Sequence, residues 1–354
     1  MKYTPVLKRL GEHAKVDFRW RNGLLLRSTN WLGDAIMTLP AAYQISRCLP
    51  SYCGFFVLCR KELAPIWTAC PWVDIVIRMD GHHVSRDEMS DVRHLAPGVA
   101  CVFPNSFGAA LDVYRCSVPQ RVGRGGRFRS LMLTERLPEW PRPKGEGDCH
   151  QLSYYLELAS LFGDIEYTTE YPKLKVDLEL ARCLGMESGE WLAIAPGAAF
   201  GPAKQWLPDH FLEVARWHGG QGGRVVLVGT AKERSVTAWL AERMPDALDL
   251  AGKTTLDELM AVLAAAKAVV ANDSGVMHLS AAVGTSGVAI FGSTDPVATG
   301  PIGAPWHVIA STEKCRPCFR RTCPLPDHPY RCLSEISPNL VISELIEITA
   351  RSSR

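Results

Sequence analysis

Several features that would place a chain in a special class are missing from this sequence of 354 residues. The longest segment without Asp, Glu, Lys or Arg, residues 274–294, is interrupted by Gly, Ser, Thr and His278, which argues against a membrane span. The net charge is only +2, and few aromatic residues lie among the arginines, so no nucleic-acid partner is expected. There is no short-period repeat and no low-complexity segment. What remains is the composition of an ordinary globular protein.

Residues 1–22 lack the apolar core of a secretory signal peptide and carry six Lys or Arg residues. Two interpretations stay open for this N-terminal extension: a basic arm at an anionic membrane surface, or a frayed polar tail, which we favour. Twelve cysteines without a signal peptide predict a reduced, cytoplasmic protein.

Short apolar runs alternate with helical patterns in both halves of the chain. Strands are predicted at 24–26, 55–59, 73–77, 99–103, 191–195, 224–228, 268–271 and 288–291. Helices are predicted at 35–48, 211–218, 231–244, 255–266, 275–283 and 338–350. This alternation predicts an α/β fold with doubly wound parallel sheets, and the length predicts two domains. We place them at 23–170 and 191–337, with a linker at 171–190 and a final helical segment at 338–354.

Residues 28–34 follow the first predicted strand and open the first predicted helix, where an α/β fold places ligands. Asp34 is expected in the first helical turn, where it either caps the helix or serves as a base. Spacing alone does not decide between these roles. A helix N-terminus favours the ionised carboxylate, which suits a base although it weakens basicity. Gly33 permits a tight turn or a close approach of backbone to ligand.

A second loop, residues 196–206, follows the strand at 191–195. Gly197 and Gly201 would let backbone amides face a ligand, and Lys204 can reach an anion, although no Gly-Lys-Ser/Thr ends the loop. A plain connection between strand and helix is the alternative.

A third loop, residues 272–278, also lies between a strand and a helix. Ser274 and the amides after it predict an anion-binding helix N-terminus, and Asp273 would order the turn or accept a ribose hydroxyl. His278 taken alone is more typical of a hydrogen-bonded core histidine. Two such loops in one half favour a nucleotide site, and residues 291–296 form a further loop after a strand.

A basic run lies between Arg115 and Lys144, with only Glu135 and Glu139 opposing it. Its members are Arg115, Arg121, Arg124, Arg127, Arg129, Arg136, Arg142 and Lys144. Three glycines predict a flexible loop that contacts a phosphorylated or carboxylated acceptor; a solvated surface loop is the alternative.

Four cysteines cluster late in the chain, at Cys315, Cys318, Cys323 and Cys332. The first two have the spacing of metal ligands, whereas the last two match no standard knuckle. A structural zinc site, free thiols and a redox-dependent bridge all remain open.

Together these motifs resemble the family 9 glycosyltransferases, the ADP-heptose:lipopolysaccharide heptosyltransferases, and look closest to the heptosyltransferase II branch. The resemblance rests on residues 30–34, on 196–197 with 201–204, on 273–275 with His278, and on the cysteine loop. These motifs extend over nearly the whole chain.

The resemblance implies a GT-B fold, in which two Rossmann-like doubly wound domains face a central cleft. Residues 23–170 would bind the acceptor and 191–337 the nucleotide sugar, with the final helix crossing back to the first domain. It implies an inverting transfer without a required cofactor, in which Asp34 takes a proton from the acceptor and Lys204 neutralises the leaving diphosphate. Donor-binding residues would be Gly197, Gly201, Glu233, Asp273, Ser274, Gly275 and His278. Acceptor-binding residues would be Asn30, Trp31, Gly33, Arg121, Arg124, Arg127 and Arg129.

The partners implied by this resemblance are ADP-heptose and a lipid-linked saccharide of the lipopolysaccharide core, reached by peripheral contact with the inner face of the cytoplasmic membrane. One alternative is a related transferase that uses another nucleotide sugar. Another is a non-catalytic sugar-nucleotide-binding protein, against which the presence of both Asp34 and Lys204 argues. A nicotinamide dehydrogenase lacks support, because no Gly-x-Gly-x-x-Gly follows the first strand.

Overall fold

Two six-stranded parallel sheets with surrounding helices organise the molecule. The structure, a computed structural model, describes residues 2–126, 128–139, 148–187 and 189–352. In that part of the chain, residues 7–139 and 151–175 form one compact unit, and residues 2–6, 148–150 and 176–352 form the other. None of the helices described has both the length and the apolarity needed to cross a bilayer.

The first unit contains a sheet in the order β3-β2-β1-β4-β5-β6. Its strands are β1 (Gly23–Arg27), β2 (Gly54–Arg60), β3 (Ile75–Met79), β4 (Val99–Val102), β5 (Gln120–Arg124) and β6 (Glu135–Leu137). Its helices are α1 (Leu32–Met37), α2 (Leu39–Arg47), α3 (Ala64–Thr68), α4 (Arg86–Leu95), α5 (Phe107–Arg115) and α6 (Leu152–Ala159). Short 3₁₀ turns occur at Lys61–Leu63 and Arg129–Leu131.

The second unit contains a sheet in the order β12-β11-β10-β7-β8-β9. Its strands are β7 (Trp191–Ala195), β8 (Arg224–Leu227), β9 (Leu248–Asp249), β10 (Ala268–Asn272), β11 (Gly287–Phe291) and β12 (Trp306–Ala310). Its helices are α7 (Glu179–Cys183), α8 (Pro208–Gly220), α9 (Arg234–Arg243), α10 (Leu256–Ala265), α11 (Gly275–Ala282), α12 (Pro296–Thr299), α13 (Arg331–Ser334) and α14 (Pro338–Ser352). Pro202–Lys204 and Ala231–Glu233 form 3₁₀ turns.

The predicted α/β class and doubly wound parallel sheets are confirmed. In each sheet the first strand lies in the middle and the order runs outward on both sides, so the strands' carboxyl ends form a natural edge for ligand-binding loops. Strands β1, β4, β7, β10 and β11 are buried along their whole length, as expected for strands covered on both faces.

Four strands were not predicted: β5, β6, β9 and β12. Strand β5 reads Gln-Arg-Val-Gly-Arg and has no apolar run, while β9 has only two residues. These segments are strands because they pair with neighbouring strands, β5 with β4 and β9 with β8, and not because of their own sequence pattern.

The single helix predicted at 35–48 is two helices, α1 and α2, which meet at Thr38. Pro40 lies in the first turn of α2, where its missing N–H costs no hydrogen bond. Inside one continuous helix over residues 35–48 the same proline would remove a hydrogen bond and break the helix. The Thr38 hydroxyl donates to the carbonyl of Ala35 at 2.6 Å and so satisfies the last turn of α1.

The N-terminal extension is not a frayed tail. The Phe18 ring stacks on Phe162 with centroids 4.8 Å apart, and the backbone N–H of Lys8 donates to the Ser153 hydroxyl at 3.1 Å. Residues 2–6 belong to the second unit, where the backbone N–H of Tyr3 donates to the carbonyl of Trp306. The polar composition concealed the few aromatic side chains that anchor this segment.

The crossing of the final helix back to the first domain stays a prediction. Helix α14 belongs to the second unit and packs on α8, β11 and β12. Val341, Leu345 and Ile348 lie on one helical face and are buried, and the first two join the core of that unit. The predicted linker at 171–190 contains helix α7, which packs against α10.

Candidate functional site

Loops of the second unit converge at the carboxyl ends of β7, β8, β10 and β11, which are neighbours in the sheet. Asn272, the last residue of β10, fastens two of these loops. Its side-chain amide donates to the carbonyls of Pro196 and Gly197 at 2.8 and 3.3 Å, and its Oδ1 accepts from the N–H of Trp206 at 3.0 Å. Asn272 is fully buried, so this clamp works without competition from water. Sequence reasoning did not assign it a role.

An ion pair between a partly buried lysine and a buried aspartate joins two of the predicted residues. Lys204 Nζ lies 2.6 Å from Asp273 Oδ2, and the hydroxyl of Thr294 donates to the same oxygen at 2.5 Å. The pair brings together the loops after β7, β10 and β11. Asp273 therefore holds Lys204 and Thr294, and Thr294 is a partner that the sequence did not reveal. Its two predicted roles, ordering its turn or accepting a ribose hydroxyl, stay predictions.

Unsatisfied polar atoms surround this pair. Among the described residues, Ser274 Oγ, Ser293 Oγ and His278 Nδ1 are buried side-chain atoms without a hydrogen-bond partner. Ser274 precedes α11 in an extended conformation, and its side chain makes no capping bond. Buried hydroxyls are normally paired, so such a group beside a lysine and a helix N-terminus fits an anionic ligand.

His278 is almost completely buried one turn into α11. Burial lowers the pKa of its imidazole to about 4, and the nearby carboxylate of Asp273 opposes this shift only in part. The ring is therefore neutral at physiological pH. Its prediction as a donor-binding residue stays a prediction.

Two of the predicted glycines have steric reasons. A Cβ on Gly197 would lie 2.2 Å from the carboxyl group of Glu233, so a side chain there would have to displace that carboxylate. Gly201 has φ of 141°, and a Cβ there would meet the carbonyl oxygen of Arg321 at 2.8 Å. Glu233 accepts hydrogen bonds from the N–H and hydroxyl of Thr230 at 2.7 and 2.8 Å, which fixes its carboxylate beside Gly197.

The loop after β1 in the first unit carries Asp34. The residue that caps α1 is Trp31, and Asp34 lies three residues later in the first turn, so it is not the cap. The Asp34 carboxylate is close enough to Tyr155 of α6 to raise further the pKa of a phenol that burial already raises. Gly33 lies inside α1, so a left-handed turn is not the reason for glycine there.

A polar network centred on the buried Arg27 and Asp112 holds the loop after β1. Arg27 Nη1 donates to the carbonyl of Ser28 at 2.6 Å and to Asn30 Oδ1 at 3.1 Å. Its Nε lies 3.2 Å from Asp112 Oδ2, and Asp112 Oδ1 in turn faces His83 Nδ1 at 3.2 Å. Asn30 is thus held by protein, and neither Arg27 nor Asp112 was recognised in the sequence, because each stands in an otherwise apolar element.

The described part of the basic run is not a flexible loop, since it contributes β5 and β6. Arg121 donates to three backbone carbonyls at 2.6, 2.6 and 3.0 Å. Arg124 is buried and forms an ion pair with Glu157. Arg129 is buried as well and donates to the carbonyl of Pro104 at 2.7 Å. Arg127, also predicted to bind acceptor, lies outside the described residues.

The cysteine loop, residues 315–332, is hydrogen-bonded to the loops that follow β7 and β11. Arg316 donates to the carbonyls of Gly292, Ser311 and Thr294 at 2.5, 2.8 and 3.0 Å. The carbonyl of Arg321 accepts from the N–H of Ala203 at 3.1 Å, next to Lys204. Arg316 and Arg321 of the cysteine loop therefore position the two loops that carry Lys204 and Thr294.

Zinc binding at the four clustered cysteines, one of the three open interpretations, stays a prediction. All four sulfurs are free thiols, and burial raises the pKa of Cys332 to about 11, with Cys315, Cys318 and Cys323 near enough to raise it further. However, in the described part of the chain the group of three ligand atoms within 4.8 Å is His307, Glu344 and Glu347, not the cysteines. The thiols are neighbours but are not at ligand spacing.

Comparison with known proteins agrees with this geometry. The sequence model of glycosyltransferase family 9 (heptosyltransferase) matches residues 93–328. Lipooligosaccharide heptosyltransferase 2 of Haemophilus influenzae is 27% identical, over 93% of this chain and 99% of that protein. Lipopolysaccharide heptosyltransferase 2 of Escherichia coli is 28% identical, over 91% and 97%. The solved structure of E. coli ADP-heptose lipopolysaccharide heptosyltransferase II has a TM-score of 0.78 at 26% identity and covers 94% of this chain and 99% of that one.

Two doubly wound parallel sheets, and these similarities, define a GT-B glycosyltransferase. The family match covers well over half of the residues. The chain belongs to glycosyltransferase family 9.

Proposed function

We propose that this chain transfers a heptose from ADP-heptose to the inner core of lipopolysaccharide, with inversion at the anomeric carbon. The single observation that carries the proposal is the Lys204–Asp273–Thr294 group beside the unpaired hydroxyls of Ser274 and Ser293. A lysine, two free hydroxyls and the N-terminus of α11 suit a diphosphate, and the family supplies the expectation that this diphosphate belongs to ADP-heptose.

The chemistry requires charge stabilisation at both ends of the transferred sugar. The acceptor oxygen forms a bond to the anomeric carbon while the bond from that carbon to the diphosphate oxygen breaks, and its electron pair leaves with ADP. Lys204 and the first amides of α11 stabilise the negative charge on ADP. Asp34 accepts the proton of the acceptor hydroxyl.

Asp273 has a positioning role in this proposal. Because it pairs with Lys204 and accepts from Thr294, it holds the ammonium group at the loop edge before donor arrives. Preorganised charge is effective because no reorganisation is needed during the reaction. The acceptor is lipid-linked, so we place the reaction at the inner face of the cytoplasmic membrane.

The test measures ADP release from ADP-heptose with a heptose-deficient lipopolysaccharide acceptor. Asp34→Asn and Lys204→Ala should each lower kcat at least about a hundredfold, because one loses the base and the other the leaving-group cation. Asp87→Asn, which removes a first-turn carboxylate of α4, and Lys267→Ala, just before β10, are the matched controls and should keep activity.

Different outcomes separate the alternatives. Release only with another nucleotide sugar would keep the mechanism and discard the heptose. Donor binding without acceptor-dependent release from any nucleotide sugar would favour a non-catalytic binding protein. Full activity of Lys204→Ala would refute the role given to the ion pair.

A further inference from the structure

One histidine of the first unit has a ring nitrogen that the fold leaves unused. His83 lies in the loop that follows β3, and 58% of its side chain is exposed. Its Nδ1 faces Asp112 Oδ1 at 3.2 Å. Within the described part of the chain, its Nε2 makes no hydrogen bond. A half-exposed imidazole that the protein holds by one nitrogen only can offer the other to a ligand.

The protein fixes the position of the His83 ring. A Cβ on Gly108 would lie 2.1 Å from the ring's Cε1, so the ring lies directly against the first turn of α5. The N–H of Val84 donates to the same oxygen of Asp112 at 3.3 Å, which ties down the backbone beside the ring. Asp112 is itself 1% exposed, and its second oxygen lies 3.2 Å from Arg27 Nε. The imidazole is therefore preorganised, which lowers the entropic cost of binding.

The carboxylate of Asp112 decides which nitrogen of the ring carries the proton. Because an ionised carboxylate only accepts hydrogen bonds, the proton lies on Nδ1 of His83. Nε2 of the neutral ring then has a lone pair and accepts a hydrogen bond. A ligand that suits this nitrogen carries hydroxyl groups, as a saccharide does.

The network that holds His83 also reaches the loop of Asp34. Arg27 ends β1, and its Nη1 donates to Asn30 Oδ1 at 3.1 Å, four residues before Asp34. Strands β1, β2 and β3 are parallel neighbours, so the loops of His83 and Asp34 leave the sheet at the same carboxyl edge. Arg27 Nη2 and Thr29 Oγ1 are buried there without a partner among the described residues. Such unmet hydrogen-bonding capacity is typical of a place that a polar ligand completes.

We propose that His83 Nε2 accepts a hydrogen bond from a hydroxyl group of the saccharide acceptor, so that His83 is an acceptor-binding residue. This contact holds the saccharide at the sheet edge that carries Asp34. The assignment rests on the proposed function, because that function makes a saccharide the ligand of the first unit. Asp112 is a positioning residue: it orients the ring and does not touch the saccharide.

The test is isothermal titration of the full chain, saturated with ADP, with the deacylated saccharide of heptose-deficient lipopolysaccharide. Two variants separate the nitrogens of the ring. The amide of His83→Asn stands where Nδ1 stood and keeps the bond to Asp112, but nothing replaces Nε2. The longer side chain of His83→Gln places an amide oxygen near the position of Nε2 and gives up the bond to Asp112.

We expect His83→Asn to bind the saccharide about tenfold more weakly, as the loss of one hydrogen bond predicts, and His83→Gln to stay within about threefold. Gly108→Ala keeps both His83 and Asp112 but pushes the ring aside, so it should also bind about tenfold more weakly. His94→Asn alters another exposed histidine, in the last turn of α4, and is the control that should bind unchanged. The affinity for ADP should be the same in all of these proteins.

The order of the two His83 variants decides the outcome. Normal saccharide binding by His83→Asn with weak binding by His83→Gln would mean that only the bond to Asp112 matters, and would overturn the proposal. Equal binding by every variant, or no saccharide binding by the unaltered protein, would overturn it as well. Because the titration requires no turnover, saccharide binding that depends on His83 without any ADP release would count against the transferase assignment alone.

Discussion

At the scale of single residues, one short hydrogen bond holds the Asp273 carboxylate beside Lys204. Thr294→Val removes the hydroxyl that donates to Asp273 but keeps the shape of the side chain. Asp273 would then hold Lys204 less firmly, and we expect kcat/KM for the donor to fall about tenfold. Thr299→Val, which removes a longer bond to the carbonyl of Asp295, is the control and should stay within about twofold. Equal rates for Thr294→Val and the unaltered enzyme would remove Thr294 from the positioning group.

A second residue-scale prediction concerns pH. Burial lowers the pKa of His278 to about 4, below its ordinary value of 6.5, so the unfolded chain binds a proton that the folded chain excludes. The stability contributed by the neutral ring is therefore complete above pH 6.5 and is lost as pH falls toward 4. Integrating between those values gives a loss of about 2 kcal/mol at pH 5 relative to pH 7.

Urea unfolding of the unaltered protein and of His278→Gln at both pH values measures this loss. The variant should lose about 2 kcal/mol less on acidification, although some loss persists because burial also lowers the pKa of His150 to about 4. Parallel pH dependences for the two proteins would show that His278 does not titrate as its burial requires.

At the scale of elements, helix α6 and strand β5 are joined by a buried ion pair. Glu157 of α6 pairs with Arg124 of β5 and also lies 2.9 Å from His13 Nε2. Glu157→Gln leaves the buried guanidinium without its counter-charge, and we expect the free energy of unfolding to fall by about 3 kcal/mol or more. Asp164→Asn breaks the exposed pair with Lys15 and should change it by less than about 1 kcal/mol. A small effect of Glu157→Gln on unfolding, with a large rise in the acceptor KM, would support the prediction that Arg124 binds acceptor.

The same elements show which features of the fold and the site could be predicted from the sequence. Continuous apolar runs revealed β1, β7 and β10, and therefore the loops that hold Asp34, Lys204 and Asp273. Strand β5 stayed hidden because its arginines read as solvated, and only the fold brings Glu157, 33 residues later, to one of them. Likewise no local pattern places Thr294 on Asp273, 21 residues earlier, because β10 and β11 pair only in the folded sheet. Sequence finds residues at strand ends, but pairings across loops require the folded structure.

At the scale of the whole molecule, the beginning of the chain completes the second unit. The Tyr3 hydroxyl donates to the carbonyl of Pro296 at 2.7 Å, and its ring lies where a Cβ on Gly300 would stand. Tyr3→Phe should cost about 1 kcal/mol of stability and Tyr3→Ala about 3 kcal/mol. Amide hydrogen exchange should show the loss of protection in β11 and β12, with β1 to β4 unchanged. Uniform loss in both sheets, or none in either, would contradict this assignment.

Because the ribosome makes the chain from its N-terminus, the contact between Tyr3 and Pro296 can form only late in synthesis. The partners of Tyr3 emerge almost 300 residues after it, the separation of Tyr3 and Pro296 being 293. The first unit has all of its strands once residue 137 is made, whereas β12 and its contact with Tyr3 must wait for the last part of synthesis. Closing so long a loop is entropically costly and slow. Residues 2–6 therefore remain without their final partners through most of translation, and an early-released fragment would carry a finished first sheet beside an unfinished second one.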